Sequence, residues 1–236
     1  MRPFDWLRRS PVAEPDPQLR EACAQLSEPA PWSPLPLRQQ RFVVLDLETS
    51  GLHLQRDQLL SIGAVVIEDG AIDLAQQFEC TLQRSGQKLS ASVLIHGIAP
   101  SALEAGMAPG EALLAFMRFV GASPLLAFHA PFDQHMLSKA LKQDLGYTLT
   151  HRFLDVADLA PMLCPDVILR QAGLDDWTRH FGLQVHQRHH ASADALVTAE
   201  LALILFSRAR RQGLESPAEL ADALGRWQRR QQRPSL

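Results

Sequence analysis

Asp46 and Glu48 close a short apolar run in FVVLDLETSGL, and a spacing of two puts both carboxylates on one face of an extended strand. Two acids at the end of an otherwise apolar strand repel each other and lose hydration. A divalent cation is the usual compensation; a strand ending in solvent would instead leave them merely exposed. Asp133 follows a second apolar run in LLAFHAPFDQHML, where an acid also suits the first turn of a helix. Asp194, in HHASADALVTAE, shares a helical face with Val197 and Leu201, an uncomfortable place for a carboxylate without a partner charge or a metal. His189 lies five residues earlier, in the loop leading into that helix. Carboxylates are the hard oxygen donors that Mg²⁺ and Mn²⁺ prefer, and an imidazole suits proton transfer near neutral pH.

The elements that must hold these residues can be read from the same chain. Residues 42–45 form a β-branched apolar run, as expected of a strand buried on both faces. Two further strands are expected over 59–68 and 72–82, joined at Asp69-Gly70, a two-residue hairpin signal. A helix over 109–120 carries Leu113, Leu114, Met117 and Val120 along one stripe. A short strand over 125–128 precedes a helix around 134–143, and a strand near 152–154 precedes a helix over 156–162. Leu174, Trp177 and Phe181 stripe the next helix, which stops at Gly182, and 193–210 is the last long helix of the core. The sum is an α/β domain: a mixed sheet flanked by helices, three antiparallel strands first and alternating strand–helix units later.

Eight of the sixteen prolines fall in residues 1–40, which read as a Pro-rich leader that drapes over the domain or stays loose, with a short helix possible over 17–26. Trp6, Leu7 and Trp32 are its candidate anchors. The compact domain spans 41–210. After it, Ser216-Pro217-Ala218-Glu219 is a capping box that starts a helical tail over 211–236, with Leu220, Leu224 and Trp227 on one side. Residues 207–236 hold seven arginines against three acids, a basicity that the solvated face of a packing helix explains better than nucleic-acid contact does.

The formal net charge of −3 argues against a protein that coats long stretches of nucleic acid, but permits one that grips a strand end. Cys23, Cys80 and Cys164 are far apart and form no CxxC pair, so neither a zinc knuckle nor a disulfide framework is expected. The N-terminus lacks an apolar core of signal-peptide length, and no apolar run suits a membrane span, so a cytoplasmic protein without membrane association is expected. No GxSxG elbow is present. His186, His189 and His190 do not form the HExxH motif of a zinc hydrolase, since glutamine stands at 187.

Taken together, FVVLDLETSGL, HGI at 96–98, AFHAPFDQHML and HHASADA resemble, in order, the motifs of the DEDDh 3′→5′ exonucleases. This ribonuclease-H-like family includes the proofreading subunit of bacterial replicative polymerase and ribonuclease T. The resemblance runs from about residue 41 to 208 and implies the ribonuclease-H-like mixed five-stranded sheet. It carries the acidic positions onto Asp46, Glu48, Asp133 and Asp194, and the family histidine, five residues before the last aspartate, onto His189 in preference to His190. Asp155, in LDVADLA, is implied to be structural. Ser50 stands where threonine is common and His129 where asparagine is common; neither position is a metal ligand in the family.

The resemblance implies two Mg²⁺ or Mn²⁺ ions held by the four carboxylates, with His189 taking a proton from the attacking water. The rate should then rise with pH into the alkaline range. The turn Thr49–Leu52 is implied to meet the terminal nucleotide: Thr49 through its backbone at the 3′-hydroxyl, Leu52 on the terminal base unless it is an ordinary core leucine. His96 is a weaker candidate for the pocket, a structural role in its turn being the favoured reading. The expected reaction releases nucleoside monophosphates from a DNA 3′ end, single-stranded or frayed, in proofreading or repair, with a polymerase or repair protein as possible partner. The alternative within the same superfamily is an exoribonuclease or oligoribonuclease. A non-catalytic polymerase-associated binding module is a third reading, disfavoured because the five catalytic positions are intact.

Overall fold

The computed structural model describes residues 16–84, 97–169, 172–185 and 188–232. In chain order its elements are α1 (Pro17–Ala24), β1 (Phe42–Thr49), β2 (Leu59–Glu68), β3 (Ala71–Thr81), α2 (Pro100–Glu104), α3 (Pro109–Val120), β4 (Leu125–Ala127), α4 (Ala130–Leu145), β5 (Phe153–Asp155), α5 (Val156–Leu163), α6 (Leu174–Phe181), α7 (Ala191–Arg211) and α8 (Pro217–Gln231). The strands form one five-stranded sheet in the order β3-β2-β1-β4-β5. β1 to β3 pair antiparallel; β4 and β5 run parallel to β1. This is the mixed sheet expected from the sequence.

The β2–β3 hairpin turns where expected, with both Asp69 (φ 51°) and Gly70 (φ 75°) in the left-handed region. A two-residue turn whose twist matches its strands needs positive φ at both positions. Helix boundaries differ more from expectation. α4 begins at Ala130, four residues before the expected start, because Pro131 occupies its first turn, where a missing N–H costs nothing. α7 likewise starts at Ala191, two residues early.

β1 is central, and its alternation sorts the core into two layers. Phe42 and Val44 pack with Leu159, Trp177, Leu201 and Leu205 on one side of the sheet. Val43, Leu45 and Leu47 pack with Leu113, Phe116, Met117 and Leu137 on the other. Asp46 and Glu48 continue the even-numbered row, which faces α7. Among the described residues no helix is long and apolar enough to cross a membrane.

The leader segment from residue 16 onward lies against the domain. Leu37 is buried, and its backbone N–H donates to Glu215 O at 2.7 Å. Ala30 donates to Ala122 O at 2.9 Å, and the Arg152 guanidinium lies 5.8 Å from the Trp32 ring centre. Trp6 and Leu7 lie outside the described residues. α8 opens on the Ser216–Glu219 capping box and buries Leu220 and Leu224.

Gly63 of β2 lies opposite Asp46 in the β1–β2 register. A Cβ there would meet the Ala191 carbonyl carbon and the Ser192 nitrogen at 2.1 Å, so the first turn of α7 rests directly on the strand backbone. Gly63→Ala is expected to push α7 off the sheet and to destabilise the fold by at least the roughly 1–3 kcal/mol of an overpacked core. Chemical denaturation checks this; a variant as stable as wild type would show that the helix shifts without cost.

Candidate active site

Three elements bring the sequence-predicted acids together. β1 supplies Asp46 and Glu48, α4 supplies Asp133 from its first turn, and α7 supplies Asp194 from its first turn. One carboxylate oxygen from each of Asp46, Glu48 and Asp194 lies within 4.8 Å of the other two. Asp133 and Asp194 are each only 4% exposed, and Asp46 and Glu48 are half-buried.

Crowding these carboxylates makes their ionised forms costly. Burial, then the neighbouring charges of Asp133, Asp194 and Glu48, pushes the Asp46 carboxyl well above the usual carboxylate range. Burial pushes Asp133 up as well, with Asp155 and Glu48 adding to it. Glu48 is pushed up to about 7 by burial and by Asp194. The cation that opposes this repulsion is Arg188, whose guanidinium pairs with Asp194 and with Asp175 at the start of α6. A monovalent side chain at the rim leaves the inner acids raised. Hard oxygen donors in such an arrangement fit a divalent ion, whose charge would restore their ionised forms.

His189 lies in the loop ahead of α7 with its side chain exposed and its backbone left-handed (φ 60°), an unusual state for a non-glycine residue. Its backbone N–H donates to Asp194 Oδ2 at 2.9 Å, which ties its backbone to the edge of the cluster. His190 is committed elsewhere. Its Nε2 lies 3.4 Å from Glu79 Oε1, and Ser192 Oγ donates to Glu79 Oε2 at 2.7 Å.

Asp155 stands at the edge of the site and caps helix starts. Its Oδ1 accepts from the His129 and Ala157 backbone N–H groups, each at 3.0 Å. His129 itself is left-handed (φ 65°), which accounts physically for a residue of the Asn/His kind at that corner. The turn after β1 presents its two candidates differently. Thr49 is buried, and its hydroxyl donates to Gly51 O at 2.8 Å, whereas Leu52 is 84% exposed. Leu52 is therefore no core leucine. His96 lies outside the described residues.

Sequence reasoning passed over Arg188 and Gly63. The glycine carried a signal, since an isolated glycine within a strand marks a bulge or a close backbone approach. Arg188 is one of many arginines, and nothing in its neighbours marks its pairing with Asp194.

This fold and cluster place the chain beside known nucleases. The exonuclease family model (RNase_T) matches residues 43–202, so the chain belongs to the exonuclease family, of the DEDDh, ribonuclease-H-like 3′→5′ type. It is similar to PolC-type DNA polymerase III of Clostridium perfringens, at 33% identity over 71% of this chain, and of Thermotoga petrophila, at 32% over 76%. The matched regions make up only 11% and 13% of those relatives' lengths. The fold also resembles E. coli Exonuclease I solved with a dA16 oligonucleotide, at a TM-score of 0.64 and 20% identity over 73% of this chain and 42% of that one.

Because Glu48 titrates at about 7 in the folded protein and near 4.5 when unperturbed, the metal-free folded state binds a proton that the unfolded chain has released. Stability contributed by that proton is present below about pH 4.5 and is lost as pH rises to about 7. In EDTA, wild-type Tm is therefore expected to fall across this window relative to Glu48→Gln, and Mn²⁺ should reverse the fall. A difference that stays flat, or grows in favour of wild type, contradicts the raised Glu48.

Proposed function

We propose that this chain is an active metal-dependent 3′→5′ exonuclease that releases nucleoside monophosphates from DNA 3′ ends, in a proofreading- or repair-like role. The observation that carries this is the convergence of Asp46, Glu48 and Asp194 within 4.8 Å beside buried Asp133, in a member of the exonuclease family. Preference for DNA is supported by the relatives, which are DNA polymerases, and by the structural neighbour, which holds a deoxyoligonucleotide. A polymerase or repair protein is the partner this reading favours.

Asp46, Glu48, Asp133 and Asp194 would hold the ions, Mg²⁺ or Mn²⁺. When bound, divalent ions lower the pKa of water and stabilise the charge on a departing oxygen. The chain's own residues do the rest. His189, whose backbone is tied to Asp194, takes the proton of the attacking water on its ring and passes it to solvent. The backbone of Thr49 meets the 3′-hydroxyl, and exposed Leu52 covers the terminal base, where an apolar side chain excludes water from the scissile bond. Arg188, paired with both Asp194 and Asp175, would yield Asp194 to a bound ion and keep Asp175 as its second partner.

The test uses a 5′-labelled single-stranded DNA oligomer with Mg²⁺, Mn²⁺ or EDTA, beside matched RNA. A metal-dependent ladder shortening from the 3′ end, reduced more than about 100-fold in Asp133→Ala, is expected. Cleavage confined to RNA would move the assignment to an exoribonuclease, and no cleavage of either would end the enzyme reading. In the same assay His189→Ala should lose about 10²–10⁴-fold in rate, and His190→Ala should stay near wild type. Equal losses in the two variants would remove His189 as the base.

A further inference from the structure

The turn that follows Glu48 is built around one carboxylate and one ammonium, and neither belongs to the acidic cluster. Asp57 Oδ1 accepts from Ser50 Oγ at 2.9 Å, and Asp57 Oδ2 accepts from the His53 backbone N–H at 2.6 Å. Ser50 Oγ in turn accepts from the Gln58 N–H at 3.0 Å, and the Ser50 N–H donates to Gln58 O at 2.9 Å, closing the loop at its base. Gly51 is needed at this hub, because a Cβ there would lie 2.5 Å from Asp57 Oδ2. The loop is thus folded about Asp57, but those bonds do not fix how it sits on the domain.

Lys139 does that. Its Nζ donates to Asp57 O at 2.7 Å, Gln55 O at 3.0 Å and Leu54 O at 3.1 Å. An ammonium has three donors, so all of them are spent on the carbonyls of this loop and none is left for a phosphate. Lys139 sits on α4, the same helix that carries Asp133 six residues earlier. One rigid element therefore sets both a buried acid of the cluster and the loop that carries Leu52. Leu52, four residues after Glu48, is 84% exposed and gains nothing there in the free protein. It makes sense on a loop held still for an apolar ligand face.

We infer that Lys139 is a positioning residue that clamps the Ser50–Gln58 loop to α4 and so holds Leu52 ready for the terminal base of the substrate. The inference deepens the exonuclease reading and rests on it for the identity of the ligand. Removing the ammonium frees the loop without touching the acids, so substrate capture weakens while the chemical step is spared.

The experiment compares wild type, Lys139→Met, Leu52→Ala and the double variant on a single-stranded DNA oligomer. Amide hydrogen exchange across residues 50–58 is measured on the same proteins. Lys139→Met is expected to raise KM roughly tenfold with kcat within about twofold, and to leave the salt dependence of KM unchanged. The double variant should bind no worse than Leu52→Ala, since Lys139 acts only through the loop. Loop exchange should rise while the α4 amides stay protected. Parallel loss of kcat, multiplying losses in the double variant, or a salt slope shallower by about one would overturn the clamp. Lys139→Gln, whose amide keeps two N–H donors on a shorter side chain, replaces Lys139→Met if the latter fails to fold. Wild-type protein that cleaves nothing would sink the exonuclease reading alone, because loop exchange still decides whether Lys139 holds the loop: unchanged exchange ends the inference.

Discussion

Carboxylates packed together where water cannot solvate them are a liability that a fold does not produce by accident. Asp46, Glu48 and Asp194 crowd around one point, with Asp133 buried beside them, and burial together with mutual repulsion raises three of the four. The Arg188 guanidinium at the rim offsets part of this, and its hold on Asp175 keeps it within reach of Asp194. The remaining electrostatic demand is one that a doubly charged ion would meet.

Three features of the scaffold concentrate that charge. β1, central in the sheet and packed on both faces, fixes the direction of Asp46 and Glu48. Gly63 lets the backbone of α7 rest on β2, which brings Asp194 down to the acid pair. α4 begins early, at Ala130, so that Asp133 lies inside its first turn and not ahead of it. Each is a backbone constraint, so the geometry of the acids depends on main-chain packing more than on side-chain flexibility. Asp155 extends the same logic, since a single carboxylate oxygen ties the start of α4 to the start of α5.

Much of this was legible in the chain itself. The period-two placement of Asp46 and Glu48, the Asp69-Gly70 turn and the Ser216–Glu219 capping box are local signals, and each has a local physical cause. The order of the strands and the family motifs then assigned the acids to one site. What could not be read was set by contacts distant in sequence. Nothing near Gly63 says that α7 will lie on it, and nothing near Lys139 says that it will bind carbonyls more than eighty residues away. Leu52 reads equally as a core or a surface leucine from sequence, because its exposure is set by how the turn folds. The helix starts expected at 134 and 193 fall after the observed Ala130 and Ala191, because proline and small residues mask the first turns.

Without a divalent ion the acids repel one another, and a bound ion would relieve that repulsion. The most direct measurement is the thermal midpoint of wild type and of Asp46→Asn near pH 8, each in EDTA and in Mn²⁺. Removing one charge should make the variant melt higher than wild type in EDTA and should abolish the upward shift that Mn²⁺ gives wild type. A variant that melts lower in EDTA and still responds to Mn²⁺ as wild type does would contradict the claim.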